Sequence, residues 1–214
     1  MTRNDLKGKI QTVLGLIEPE ALGRTLMHEH VLCDIRPPGT RSENDLGPEI
    51  TLENVWQINY GHGLKRSGRK YMLDLEDIAT REVAMMKHEG GDAIVELTCG
   101  GLSPDPKGLQ RIAAGTGVHL VMGCGYYVND YQDPKNHSRS VDDFAAEMIG
   151  QILDGAWGTE VRAGMIGEIG CQAPWTDTEK RVMQAAFVAA QETGAAINVH
   201  PGRDPDQPQE VADF

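Results

Sequence analysis

Short apolar runs alternate with amphipathic segments along most of this chain, and glycines sit at the joints. Residues 92–99 form an apolar run that stops at Gly100-Gly101, and residues 106–114 follow with Leu109, Ile112 and Ala113 on one helical face. The pair repeats as a strand over 118–125 and a helix over 140–153, then a strand over 163–169 and a helix over 176–192. A fifth run covers 195–200. Upstream, residues 74–89 carry Leu75, Ile78, Ala79, Val83 and Met86 on one stripe, with Asp74 as the expected N-cap and Gly90-Gly91 as the stop. Residues 25–32 read as the first strand of the series, preceded by a hairpin at about 9–23. A strand–helix repeat of this kind implies parallel strands joined by right-handed crossovers. Two architectures satisfy it, an open doubly wound sheet and an eight-stranded barrel. No G-x-G-x-x-G follows the first strand, which weighs against a dinucleotide site. Residues 34–70, which include Arg36-Pro37-Pro38-Gly39-Thr40, are too long and too rich in turn formers for a simple connection, so a functional loop or irregular helices are expected.

The first strand carries His28-Glu29-His30. Residues two apart face the same side of a strand but not of a helix, so the two imidazoles can address one point. Taken alone, the pair fits either a metal site or two hydrogen-bonded histidines. Two later strands add to it. Glu168 lies within Ile166-Gly167-Glu168-Ile169-Gly170, and His200 within Ile197-Asn198-Val199-His200-Pro201. All are expected at the C-terminal ends of parallel strands buried on both faces, where both architectures place their sites. A buried carboxylate without a positive partner is costly, and a cation is the simplest partner for three histidines and one carboxylate at one mouth.

The remaining candidates have plainer readings. Cys33, Cys99, Cys124 and Cys171 show no C-x-x-C spacing. Cys99, Cys124 and Cys171, near strand ends, read as small buried residues rather than ligands. His119 falls early in its strand and points to the far end. His62, His88 and His137 read as solvated, and Asp34 with Arg36 as a loop ion pair or mouth residues. Glu29 should turn away from its neighbours toward the helix layer or the hairpin. Glu96 lies too early in its strand to be a strong ligand candidate.

Gly-x-Thr-Leu-x-His-Glu-His over 23–30, Val95-Glu96-Leu97-Thr98-Cys99-Gly100-Gly101, Met122-Gly123-Cys124-Gly125-Tyr126-Tyr127, Gly167-Glu168-Ile169-Gly170 and Asn198-Val199-His200 together resemble the phosphotriesterase-related branch of the amidohydrolase superfamily. The lead-in over 10–15 is similar too. The resemblance implies a (β/α)8 TIM barrel of the metal-dependent hydrolase type, with two divalent metal ions, zinc being the expected identity, at its C-terminal mouth. It implies that His28 and His30 hold the more buried ion, that Glu168 bridges both where many relatives carry a carboxylated lysine, and that His200 holds the more exposed one. It places Tyr127 beside a metal-bridging hydroxide that attacks an ester, lactone or phosphoester. Arg203 is a candidate contact for a carboxylate or phosphate on the substrate.

The family also needs a histidine after the sixth strand and an aspartate after the eighth that acts as the proton acceptor. No histidine follows His200, and Asp204, Asp206 and Asp213 lie in a polar tail. Residues 1–214 are therefore expected to form a single barrel domain that is C-terminally incomplete, with only the N-terminal five strands present. A half-barrel of that kind would need a partner, such as a second copy in a homodimer, to cover its open edges. A non-catalytic small-molecule-binding protein on the same scaffold is the alternative function.

A net charge of −12 argues against a nucleic-acid surface. No stretch approaches a membrane span, and residues 1–9 lack the pattern of a signal peptide. Widely spaced thiols without an export signal point to the cytoplasm.

Overall fold

The glycine-bounded runs do become strands. The computed structural model describes residues 1–36, 39, 41–42, 46–60 and 68–214. His62 and most of the Arg36–Thr40 turn lie outside the described residues. A one-turn helix, α1 (Arg3–Leu6), leads into an antiparallel hairpin of β1 (Ile10–Thr12) and β2 (Gly15–Ile17). β3 (Thr25–Glu29) follows. Next come β4 (Cys33–Asp34), the short helix α2 (Trp56–Asn59) and β5 (Met72–Leu73), with β5 antiparallel to β4. The regular repeat then begins: α3 (Glu76–His88), β6 (Ala93–Glu96), α4 (Pro106–Thr116), β7 (His119–Cys124), α5 (Val141–Leu153), β8 (Met165–Cys171), α6 (Asp177–Thr193), β9 (Ile197–Pro201) and α7 (Gln207–Asp213).

β3, β6, β7, β8 and β9 form one sheet in that spatial order, every pair parallel. This order separates the two architectures left open by the sequence. A doubly wound sheet reverses direction at a switch point, which places helices on both faces. Here the order never reverses, so right-handed crossovers keep the helices on one face, as in a barrel. Burial follows the same division. Ile94, Leu120, Met122, Cys124, Ile166 and Ile169 join the large core against the helices. Val95, Leu97 and Val121 pack on the other face with Ile10 and Leu22 of the N-terminal segment. The hairpin is fastened from inside by the buried Gln11, whose amide donates to the Ile152 carbonyl at 2.8 Å and the Ala163 carbonyl at 2.6 Å.

The ends of α4, α5 and α6 follow the expected chemistry. Ser140 with Asp143 and Thr176 with Glu179 both close capping boxes, and Gly117 and Gly194 end α4 and α6 in the left-handed conformation. Glu179 does more than cap. Its buried carboxylate accepts from Thr176 N and Oγ1 at 2.9 Å each, from Asn129 N at 2.9 Å and from Gln172 N at 3.2 Å. It therefore ties the loops after β7 and β8 to the start of α6. Glu179→Ala leaves these donors without an acceptor, and urea denaturation should show a loss of about 2–3 kcal/mol.

Two expectations fail at the β3 edge. Asp74 is not the cap of α3: Leu75 occupies that position without a side-chain bond, and Asp74 instead pairs with Arg69 at 3.2 Å. The first strand is not buried on both faces either. It stops at Glu29, and Leu26 and Met27 are exposed, Met27 to 58%. The cause is position, because β3 is an edge strand that pairs only with β6. Of the α3 stripe only Val83 is buried, while Leu75 and Ile78 face a cavity of about 520 Å³ shared with Leu26, Glu29, His30 and Ile94. Among the described residues, no helix is long and apolar enough to cross a membrane.

Candidate metal centre

Each functional side chain is carried to the same mouth by a different strand. His28 belongs to β3, and His30 lies one residue beyond its end. His200 is the penultimate residue of β9. Glu168 sits within β8, which continues past it to Cys171. The register between β8 and β9 shifts between Ile166 and Ile169. That irregularity lets both isoleucines face the helices while Glu168 turns to the other side. Gly167 makes the turn: its φ is +130°, and a Cβ there would lie 2.4 Å from the Asn198 carbonyl oxygen. Only glycine adopts such a backbone without strain.

The four predicted ligands are brought together. Glu168 is 2% exposed, and its two oxygens are shared among three imidazoles. His28 Nε2 lies 3.1 Å from Oε2, His30 Nε2 3.4 Å from Oε1, and His200 Nδ1 2.9 Å from Oε2. The His28 and His30 rings meet edge to face at 5.8 Å between centroids, so the alternation expected of H-x-H holds. Ligand atoms of His28, His30 and Glu168 all lie within 4.8 Å of one another. Three ring nitrogens around one buried carboxylate make a nitrogen and oxygen donor set that suits a divalent cation. Tyr127 closes the far side, its hydroxyl 3.2 Å from His200 Nε2 and its ring 4.8 Å from the imidazole. Arg203 is exposed just past β9, close enough for its charge to act on the Tyr127 phenol.

Electrostatics favour an ionised carboxylate. Burial works to raise the Glu168 pKa, but hydrogen bonds from His200 and His30 and their charges outweigh it and hold it at about 2. Burial likewise opposes a charge on His30, yet the hydrogen bond and charge of Glu168 raise its pKa above the usual 6.5. The signs give a pH dependence for the metal-free protein. Glu168 contributes stability above its ordinary pKa of 4.5, and this is lost as pH falls toward about 2. His30 contributes below 6.5 and loses its share as pH rises through its folded value. Solvent reaching His28 and His200 screens part of the interaction. Chelator-treated protein should thus lose about 2 kcal/mol more than Glu168→Gln between these acid limits, as read by urea unfolding.

The plainer readings hold elsewhere. Asp34 and Arg36 form a buried bidentate ion pair at 2.7–3.1 Å. Burial pushes the thiols up, Cys33 to about 11, Cys171 to about 12, and Cys99 and Cys124 well above the ordinary range, and Cys99, Cys124 and Cys171 are buried as small core residues. The Cys99 thiol donates to the Glu168 carbonyl at 3.1 Å. His88 and His137 are exposed. Glu29 lines the cavity beside α3, but so does His30, so the two neighbours are not turned to separate sides.

Glu96 and Thr98, which the sequence did not single out, lie next to this cluster. Both are buried. Desolvation pushes the Glu96 carboxyl up to about 7, against hydrogen bonds from Thr98, the charge of His30 and the Val31 and Thr98 amides. The available signal was a glutamate and a threonine two apart on a strand that is otherwise apolar.

The sequence profile of the phosphotriesterase family matches residues 8–213. The N-acetyltaurine hydrolase of Xenopus tropicalis is 38% identical over 210 residues, covering 96% of this chain and 60% of the relative. A resiniferatoxin-binding protein from Rhodobacter sphaeroides superposes with a TM-score of 0.82 at 35% identity, over 96% of this chain and 58% of that one. A lactonase from Listeria monocytogenes superposes with a TM-score of 0.72 at 21% identity, over 96% and 61%, which speaks to the fold alone. The chain thus spans about 60% of the length of the proteins it matches. Its singly wound sheet is a five-stranded arc of a TIM barrel, as the strand order requires. With the profile spanning nearly the whole chain, fold and sequence agree: the chain belongs to the phosphotriesterase family.

Proposed function

We propose that this chain carries the first half of a metal-dependent hydrolase centre. The observation behind this reading is the sharing of one buried carboxylate, Glu168, by His28, His30 and His200 at 2.9–3.4 Å. His28 and His30 would hold one divalent cation with Glu168, and His200 would hold a second with the same carboxylate. Zinc suits the donors best. Bound there, such cations lower the pKa of a coordinated water and polarise a carbonyl or phosphoryl oxygen. The protein groups do the rest. Glu168 stays ionised and fixes three imidazoles at one point. Tyr127 braces His200 from the side away from Glu168. Arg203 stands at the mouth, where a substrate anion would meet it. Residues 1–214 act as one barrel domain in this reading.

The substrate class is esters, lactones or phosphoesters. The name of the Xenopus tropicalis relative adds N-acyl amides to it. A second reading, small-molecule binding without turnover, draws on the likeness to the resiniferatoxin-binding protein. Metal analysis combined with turnover of lactone, aryl ester and N-acetyl amide panels separates them. Bound metal with hydrolysis supports the first reading. Bound metal with ligand retention and no hydrolysis supports the second. No metal uptake after reconstitution with zinc sinks the metal centre.

A further inference from the structure

His30 lies beyond the end of β3, on an edge strand, where backbone pairing alone does not fix its ring. Something else must decide which ring nitrogen faces Glu168. Glu96, the last residue of the adjacent β6, and Thr98, two residues beyond it, lie beside it. Thr98 Oγ1 is 3.0 Å from His30 Nδ1, and the same hydroxyl donates to Glu96 Oε1. Glu96 also accepts from Val31 N at 3.2 Å and Thr98 N at 3.2 Å. Those two amides are obligate donors, so the carboxylate acts as an acceptor on both oxygens. A threonine hydroxyl has one proton. If it is given to Glu96, the hydroxyl can meet Nδ1 only as an acceptor, and His30 must carry its proton on Nδ1.

We propose that Glu96 and Thr98 form a hydrogen-bond relay that favours the Nδ1–H tautomer of His30, so that its Nε2 lone pair is offered to a cation held between it and Glu168. Glu96 and Thr98 are positioning residues in this scheme. They touch neither cation nor substrate. The relay accounts for a glutamate with no exposed surface on an apolar strand, a placement that is costly without such partners. It also couples backbone to side chain: the carboxylate that orients the His30 ring through Thr98 pins the next residue, Val31, through its amide. His28 has no comparable brace among the described residues: only Glu168 meets its ring by a polar contact, and it is 42% exposed against 29% for His30. The two histidines of the pair are therefore unequal, with His30 preorganised and His28 adjusting to it.

The metal-affinity consequence rests on the proposed cation centre, whereas the tautomer does not, and the test uses both. In the metal-free wild type Glu168 stands 3.4 Å from Nε2 and competes for the single proton of the neutral ring, so the tautomer is read in metal-free Glu168→Ala at alkaline pH, where imidazole nitrogen shifts should assign Nδ1–H to His30. Added to that background, Thr98→Val keeps the shape and removes the hydroxyl, so the Nε2–H form should appear. Zinc affinity of Thr98→Val should fall about 10–100-fold, the usual cost of losing a partner that orients a ligand. Thr98→Ser, which restores the hydroxyl, should recover both tautomer and affinity. Nε2–H at His30 in Glu168→Ala with Thr98 intact would reverse the relay and overturn the proposal. An unchanged tautomer and affinity in folded Thr98→Val would overturn it as well. If the wild type takes up no zinc, the metal centre fails, and the relay is still decided by the tautomers of Glu168→Ala with and without the two Thr98 substitutions.

Discussion

Glu168→Gln is expected to abolish stoichiometric zinc binding while leaving the chain folded. The substitution keeps the shape of the side chain and removes its charge. Three imidazoles then surround a neutral amide, and a cation placed among them has no counter-charge. Losing an outer partner of a ligand costs up to about 100-fold in affinity, so losing the shared carboxylate itself should exceed that. Zinc content after equilibration and desalting measures the outcome, with melting temperature as the check on folding. Retention of near-stoichiometric zinc by folded Glu168→Gln would remove Glu168 from the centre. Because the carboxylate belongs to a glutamate and not to a carboxylated lysine, zinc uptake by the wild type should not depend on bicarbonate.

Gly167→Ala should be strongly damaging for a single-methyl change. Two costs coincide. The backbone sits at φ +130°, where a side chain is strained, and the added Cβ would lie 2.4 Å from the Asn198 carbonyl oxygen on β9. Strain of this type costs about 1–3 kcal/mol and overpacking a further 1–3, so a loss of about 4 kcal/mol is expected. The neighbour is backbone and cannot rotate away, and relief requires β8 and β9 to separate where Glu168 and His200 meet. Urea denaturation gives the stability, and zinc titration of the surviving folded fraction should show weakened binding. Gly115→Ala, with open space around its Cβ position, is the matched control. Equal effects at the two positions would remove close packing as the reason for glycine at 167.

Several features were legible in the residues because they depend on local chemistry. Glycine-bounded apolar runs gave the strands, and serine or threonine three residues before an acid gave the caps of α5 and α6. The spacing in His28-Glu29-His30 put two imidazoles on one side of a strand, and both do reach Glu168. The edge was not legible in the same way. Leu26, Met27, Leu75 and Ile78 have the composition of buried residues, but burial depends on what lies alongside, and β3 has a neighbour on one side only. Asp74 had the chemistry of a cap, yet Arg69 offered it a stronger partner.

The chain's own pattern thus specified its elements, the four ligand candidates and a parallel sheet. Residue spacing controls which way a side chain faces, and the strand–helix repeat controls crossover direction. The choice between a doubly wound sheet and a barrel arc came from strand order, β3-β6-β7-β8-β9, which involves pairing between residues far apart in sequence. The same is true of the relay from Glu96 through Thr98 to His30. Thr98 and His30 lie 68 residues apart, and no local periodicity reports that their polar atoms meet at 3.0 Å. Folding brings the two strands into register, and that register decides which nitrogen of His30 is offered to the site.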